Sequence, residues 1–258
     1  MIVSVFGAAG AGKTSLVIDL ARQLAEDGRF VGIVSAETRF GTLQRELGGK
    51  VEESKSIKQA ILDSGNIKKY AVMHTSNIFY FTMADQDDIT SHVVDDIGLI
   101  EKFIDEVSKK FDVLIADCTD RATDDLTAAF LKRADKIINL IESTPKGIAF
   151  FNAHYPLRES FYDPQKELVV LNKNIPTNLN KDTAQSLIAH RIDLVIPYFP
   201  TFYEDQLEQR SNKKYSKCIA DLMKLVISND QDTTALEKVN KKKFGIKAAI
   251  SIKKEKAQ

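Results

Sequence analysis

Residues 3–24, "VSVFGAAGAGKTSLVIDLARQL", leave the chain few folds to choose from. An apolar run enters a glycine-rich turn. Leu16, Val17, Leu20, Ala21 and Leu24 then recur at helical spacing. Gly28 closes that helix, and "FVGIVSAE" (30–37) supplies a second apolar strand. Strand, helix and strand in that order fix a right-handed crossover and a largely parallel sheet. With 258 residues, the chain can bury one sizeable α/β core or form two small domains.

The pattern continues downstream. "LQRELG" (43–48) and "SIKQAILDSG" (56–65) read as short helices, and "KYAVMHTS" (69–76) as a third strand. Residues 95–110 place Ile97, Ile100, Phe103, Ile104 and Val107 on one helical face. "FDVLIADCTD" (111–120) reads as the central strand, ending in a carboxylate. A helix at about 122–133 precedes the strand "KIINLIES" (136–143). "ELVVLNK" (167–173) and "IDLVIPY" (192–198) are two more strands. Residues 204–227 read as helical, anchored by Leu207, Cys218, Ile219 and Leu222. Seven strands alternating with helices predict one α/β domain over 1–228, a doubly wound, mostly parallel sheet with helices on both faces. Residues 229–258 change character, from the polar "SNDQDTTALEKVN" to a basic tail.

Gly7-x-x-x-x-Gly12-Lys13-Thr14 matches the P-loop pattern in its required context of strand, turn and helix. Such a loop lets the backbone at Gly7, Gly10, Ala11, Gly12 and Ser15 approach an anion without side-chain interference. The helix that begins near Lys13 points its positive end at the same place. Lys13 can reach β- and γ-phosphate oxygens, and Thr14 offers a hydroxyl to Mg²⁺. Asp117 ends a strand expected beside the P-loop strand, where a carboxylate holds Mg²⁺ through water. The bland alternatives are a chance glycine turn and a strand-terminal turn residue. "LNKN" (171–174) resembles the Asn-Lys-x-Asp of GTPases, but Ile175 stands where the guanine-reading carboxylate belongs. Asn172 can still meet adenine through its amide, which favours ATP. Pro197 and Pro200 bracket a stiff turn near that base pocket, where Phe199 can stack on adenine.

Composition narrows the field further. Lys plus Arg equals Asp plus Glu at 36 each, so net charge makes no case for bulk nucleic-acid binding. The two cysteines, Cys118 and Cys218, form no Cys-x-x-Cys pair, which fits a reducing compartment. Cys118 has no visible base and reads as a buried small thiol. His74, His92, His154 and His190 lack metal spacing. The N-terminus shows no signal-peptide pattern, and no run of 18 apolar residues exists. The expected compartment is the cytoplasm, with the inner membrane face open as a peripheral station.

With these landmarks the chain resembles the ParA/MinD family of deviant P-loop ATPases, which includes pilus-assembly proteins of the TadZ/CpaE type. The resemblance runs over about residues 1–227, through "FGAAGAGKTSLVIDLA", "VSAETRFGTLQRELG", "FDVLIADCTD", "LVVLNKN" and "VIPYFPTFYEDQ". It implies Mg·ATP binding, a nucleotide-sandwich homodimer and slow hydrolysis. The departures are specific. The family P-loop begins Lys-Gly-Gly, its first lysine reaching the partner's ATP, whereas Ala8, Ala9 and Gly10 stand here. The family's Asp-x-Asp after strand two is Ser35 and Glu37 here. Glu37 can orient water from one methylene further out, so hydrolysis is expected to be slow, with Lys13, Glu37 and Asp117 as the catalytic set. "CTDRATDD" replaces a small-residue turn and introduces Asp120 and Arg121. Arg39 or Arg121 can stand in at the dimer. These departures suit the pilus-assembly branch better than plasmid partition.

Two classes of function remain open. One is a dimerisation switch that turns over ATP and positions a pilus, secretion or other assembly. The other is a scaffold whose nucleotide is structural. A DNA-segregation ATPase needs a basic stripe that sequence does not reveal, and no acceptor motif marks a metabolic kinase. "NIFYFTM" (77–83) is open between a partner groove and core or interface packing, and "FFNAHYPLRESFYDP" (150–164) between a dimer or effector surface and ordinary loop packing. The tail, residues 238–258, carries eight lysines against Glu255, interspersed with Phe244, Ile246, Ile250 and Ile252. It is open between anionic-membrane or acidic-partner contact, a solubilising tail and an edge strand "AAISI".

Overall fold

The structure is a computed structural model. It describes residues 1–228 apart from 39, 89, 92, 93, 95, 176, 178 and 208–211, and apart from the side chains of 157, 206 and 207. Arg39, His92, the Leu207 anchor and the basic tail therefore lie outside the described residues. The chain divides into two units, Met1–Met223 and Lys224–Gln258. The sheet lies in the first.

Eight strands form one sheet. They are β1 (Ile2–Gly7), β2 (Val31–Ser35), β3 (Val72–Thr75), β4 (Ile78–Phe81), β5 (Val113–Asp117), β6 (Lys136–Glu142), β7 (Glu167–Asn174) and β8 (Leu194–Pro197). Their order is β3-β4-β2-β5-β1-β6-β7-β8. Every pair is parallel except β3 with β4. Every residue of β1, β2 and β5 is buried. That is the signature of parallel strands covered on both faces, and it explains why they read as unbroken apolar runs.

The helices are α1 (Lys13–Glu26), α2 (Leu43–Glu46), α3 (Ile57–Leu62), α4 (Ile67–Tyr70), α5 (Ile97–Ser108) and α6 (Asp125–Arg133). After them come α7 (Pro145–His154), α8 (Arg158–Phe161), α9 (Lys181–Ile188), α10 (Phe202–Leu207) and α11 (Lys213–Ile227). α1 buries Leu16, Val17, Leu20, Ala21 and Leu24 against β1, β2 and β5. Each large aliphatic side chain buried in this way contributes about 1.5–3 kcal/mol. Ile100, Phe103, Ile104 and Val107 of α5 join Phe130 of α6 and Phe6 of β1 in a core on the opposite face. α7 and α9 close that face further along, Ile148, Phe151, Ala184 and Ile188 covering Ile141, Val169 and Leu171. The sheet is thus doubly wound with helices on both faces, as the strand–helix alternation predicts.

Three expectations need correction. There are eight strands among the described residues, not seven. The extra one is β4, drawn from "NIFYFTM". Its Ile78, Tyr80 and Phe81 are buried, and Phe81 meets Phe103 edge-on at 5.8 Å, so these aromatics are core and do not line a partner groove. "KYAVMHTS" yields only the short antiparallel edge β3, with Met73 exposed. In the second correction, "FFNAHYPLRESFYDP" is helical, burying Phe151 and Tyr162 and packing Phe150 and Phe161 on the core. In the third, Ile97 starts α5 but lies exposed, so the buried stripe begins at Ile100.

Gly7, the last residue of β1, carries the close approach of β1 to β6. A Cβ there would meet the Leu140 carbonyl oxygen at 2.3 Å. Main-chain atoms of a central strand cannot step aside, so Gly7→Ala is expected to cost about 3 kcal/mol. Urea unfolding of the variant beside wild type checks this, and equal midpoints would contradict it.

Candidate functional site

The site lies at the C-terminal ends of β1, β2 and β5, beside the point where the chain crosses from one half of the sheet to the other, the usual crevice of open α/β sheets. β1 runs into the loop 8–12, in which Ala8 and Ala11 are buried while Ala9 and Gly10 are exposed. Gly10 and Gly12 have φ of 82° and 92°, the left-handed region that favours glycine. A Cβ on Gly12 would also meet Asn172 Nδ2 at 2.9 Å. Gly12 caps α1 with no side-chain acceptor, and no acid occupies the helix's first turn. The positive end of α1 is therefore left to whatever enters the loop.

Lys13 Nζ donates to the carbonyls of Gly7 and Ala8 at 3.0 and 3.1 Å. Burial lowers its pKa, against the opposing pull of Asp117, Asp120 and Glu37. The Thr14 hydroxyl donates to Asp117 Oδ2 at 2.7 Å. Asp117 stands opposite Val5 on one side and Ser35 on the other. Burial pushes its carboxyl up to about 6, although the Thr14 bond and the Lys13 charge act the other way. Its Oδ1 is buried without a hydrogen-bond partner. A carboxylate with one oxygen unpartnered, beside a hydroxyl, is a hard-oxygen pair that suits Mg²⁺ with water completing the shell. Among the described residues no group of three or more His, Cys, Asp or Glu could hold a metal ion. Any cation here would rest on this pair.

Lys13, Thr14, Ser15, Glu37, Asp117 and Asp120 line one cavity of about 360 Å³, rimmed by Phe40 and Tyr203. Glu37 lies two residues past the end of β2, its N–H donating to Ser35 Oγ at 3.4 Å. Arg121 does not line this cavity; its N–H caps back on Thr119 Oγ1. Cys118 is buried, and burial pushes its thiol up to about 12, so it is no nucleophile at neutral pH.

A second, narrower cavity of about 70 Å³ adjoins the loop. It is lined by Gly12, Ser15, Asn172, Pro197, Phe199 and Tyr215, with Tyr198 and Tyr203 among its other neighbours. Phe199 meets Tyr215 edge-on at 5.5 Å. Tyr215 donates to Asp19 Oδ2 of α1 at 3.0 Å. Asn172 Nδ2 donates to the Ala11 carbonyl at 2.8 Å.

The structure thus brings Gly7, Gly10, Ala11, Gly12, Lys13, Thr14, Ser15, Glu37 and Asp117 together at the loop, and Asn172, Pro197 and Phe199 around the adjoining cavity. Sequence reasoning missed three groups. Thr119, Asp124 and Thr127 pin the turn after β5: the Thr119 hydroxyl donates to Asp124 Oδ2 at 2.8 Å and lies 3.1 Å from Thr127 Oγ1. Tyr215 lines the second cavity from a distant helix. Lys146 and Lys173 reach loop carbonyls from α7 and β7. Only Lys173 left a trace, in "LNKN".

Fold and loop together define a doubly wound P-loop NTPase fold of the ParA/MinD type. Among solved structures, the chain is similar to a ParA family ATPase from Chlorobium tepidum TLS, with TM-score 0.74 at 16% identity over 86% of this chain and 98% of that one. It is similar to the septum site-determining protein MinD from Pyrococcus horikoshii OT3, complexed with Mg-ADP, with TM-score 0.72 at 19% identity over 88% and 96%. A Cyanothece McdA variant in complex with ATP matches with TM-score 0.70 at 17% identity over 88% and 96%. No family model and no curated protein matches the chain. At these identities the likeness is one of fold. No described helix is long and apolar enough to cross a membrane.

Proposed function

We propose that the chain is a ParA/MinD-type ATPase that binds Mg·ATP at the P-loop, pairs with a second copy over the nucleotide and hydrolyses ATP slowly, as a switch that positions an assembly. The observation that carries this reading is the Thr14–Asp117 contact at 2.7 Å on the lip of the loop, beside a buried, unpartnered Asp117 Oδ1. A loop that only closed a turn would have no use for an unneutralised oxygen at that point. The similar MinD and McdA structures were solved with Mg-ADP and ATP, which supports the same ligand class here.

The roles follow from placement. Loop N–H groups, the α1 terminus and Lys13 hold the phosphates; Thr14 and Asp117 hold Mg²⁺, which when bound neutralises charge on the β- and γ-phosphates. Glu37, across the same cavity, orients the attacking water. Its position beyond the strand end suits slow turnover, since misplacement by about 1 Å costs on the order of 10²-fold. The aromatic cavity takes the base once the exposed rim residues Tyr198 and Tyr203 rotate outward. Asn172 gives one of its two amide N–H groups to the Ala11 carbonyl, and its Oδ1 accepts from adenine's amino group in this reading. Among the described residues no carboxylate lines that cavity, which disfavours guanine. With Ala8 buried and uncharged, the exposed Lys146, which reaches the loop at Ala9 O, serves a dimer face in this reading. We place the cargo nearer the pilus-assembly branch because of Ala8 and Ser35. A scaffold with negligible turnover is the second reading, favoured by the same two residues.

Light scattering with and without a non-hydrolysable ATP analogue, combined with phosphate release, tests the switch. The expected result is a dimer in at least the nucleotide-bound sample and turnover well below about 1 s⁻¹ without a partner. Monomers in both samples, or turnover in the range of a dedicated enzyme, would count against it.

A further inference from the structure

Three consecutive carbonyls of the P-loop each accept a hydrogen bond from a side chain outside it. Lys146 Nζ donates to Ala9 O at 3.4 Å, Lys173 Nζ to Gly10 O at 2.6 Å, and Asn172 Nδ2 to Ala11 O at 2.8 Å. In a planar trans peptide the carbonyl and the next N–H point opposite ways. Holding Ala9 O and Ala11 O outward therefore turns the N–H groups of Gly10 and Gly12 inward. Holding Gly10 O outward turns the Ala11 N–H onto Ala8 O, which it reaches at 3.2 Å.

Asn172 and Lys173 should not both reach the loop, because successive strand residues point to opposite faces. They do so because Lys173 has φ of 54°, and the β7–β8 register shifts between Leu171 and Asn174. A residue with a side chain rarely adopts that backbone, and such strain persists only where its surroundings impose it. Here Asn174 Nδ2 donates to Ser143 Oγ at 3.0 Å and to Leu179 O at 2.5 Å. Lys173 Nζ also meets Glu142 Oε1 at 3.1 Å. Glu142 Oε2 in turn accepts from Thr144 Oγ1 at 3.3 Å, and Thr144 caps α7 by accepting from the Gly147 N–H at 3.2 Å. The brace is anchored at both ends.

We propose that Lys173, braced by Glu142, is a positioning residue that holds the P-loop in its phosphate-binding shape without touching the phosphates itself. The inference rests on the nucleotide reading above. It makes the end of β7 a determinant of phosphate affinity, not only of base recognition.

The test is calorimetric titration of the full chain with Mg-ADP, in wild type, Lys173→Met, Lys173→Gln and Lys173→Arg, with the unliganded thermal midpoint of each. Lys173 is about a third exposed, so its replacement should leave the fold in place, and the glutamine variant covers a methionine variant that does not fold. The expected result is an affinity about tenfold weaker for methionine and glutamine, substantial rescue by arginine, and thermal midpoints that stay together. Equal affinities across the series overturn the brace while leaving the nucleotide reading intact. So does a loss that follows the thermal midpoint and that arginine does not restore. Failure of wild type to bind Mg-ADP overturns both.

Discussion

Lys13→Ala is expected to weaken Mg·ATP binding by about a hundredfold or more while the chain stays folded. The Lys13 ammonium gives two of its three N–H donors to Gly7 O and Ala8 O. Burial lowers its pKa, and Asp117, Asp120 and Glu37 offset that only in part. A cation held this way has already lost most of its hydration, so exchanging carbonyl partners for phosphate oxygens costs little. Each hydrogen bond to a charged partner contributes about 1.5–3 kcal/mol, and losing two corresponds to a hundredfold or more in affinity. The two lost loop bonds lower stability by only about 1 kcal/mol each. Circular dichroism with nucleotide titration checks both halves. Unchanged binding in the variant would contradict the assignment.

Asp117→Asn is expected to do two opposite things: remove the Mg²⁺ dependence of nucleotide affinity and stabilise the metal-free chain. Burial raises the carboxyl to about 6 from 3.8, so between those values the folded chain holds a proton that the unfolded chain has released. Stability from this group therefore falls as pH rises through that window, and the full cost is present above about 6. Taken alone, the shift is worth on the order of 3 kcal/mol. The gain from asparagine should be smaller, about 1–2 kcal/mol, because Lys13 loses a counter-charge that opposes its own desolvation. Urea unfolding of both proteins at about pH 5 and pH 7.5 checks this through the linkage relation. The difference should grow with pH without Mg²⁺ and shrink when Mg²⁺ is added. A variant less stable at the higher pH would show that the carboxylate gains more from Thr14 and Lys13 than burial takes away.

The readable parts of this chain are those where chemistry is local. β1, β2 and β5 are buried on both faces and so appear as plain apolar runs, and the loop between β1 and α1 announces itself by glycine spacing. Asp117 was legible because it ends such a run. β4 was not, because it follows β3 after only Ser76 and Asn77, and its run of aromatics carries no strand alternation to set it apart as the second arm of a hairpin. The helical character after Phe150 was hidden by Pro156 and Pro164, which sit in the short 3-10 turns Tyr155–Leu157 and Pro164–Lys166 on either side of α8, in first-turn positions that tolerate proline. Ile97 fits the α5 stripe by spacing, yet it falls in the first turn and stays exposed. The clamp on the loop carbonyls was least legible. Lys146 and Lys173 stand 137 and 163 residues from the atoms they meet, and Lys173 reaches only through a left-handed backbone that its own sequence does not demand.

Equilibrium titration of the full-length protein with ATP and with GTP, in the presence of Mg²⁺, decides whether this is a nucleotide site and of which kind. The expected result is one ATP per chain, with GTP at least about tenfold weaker because no described carboxylate lines the second cavity to read guanine's N1–H and amino group. No heat of binding for either nucleotide would contradict the phosphate cradle, and GTP binding as tight as ATP would contradict the adenine reading.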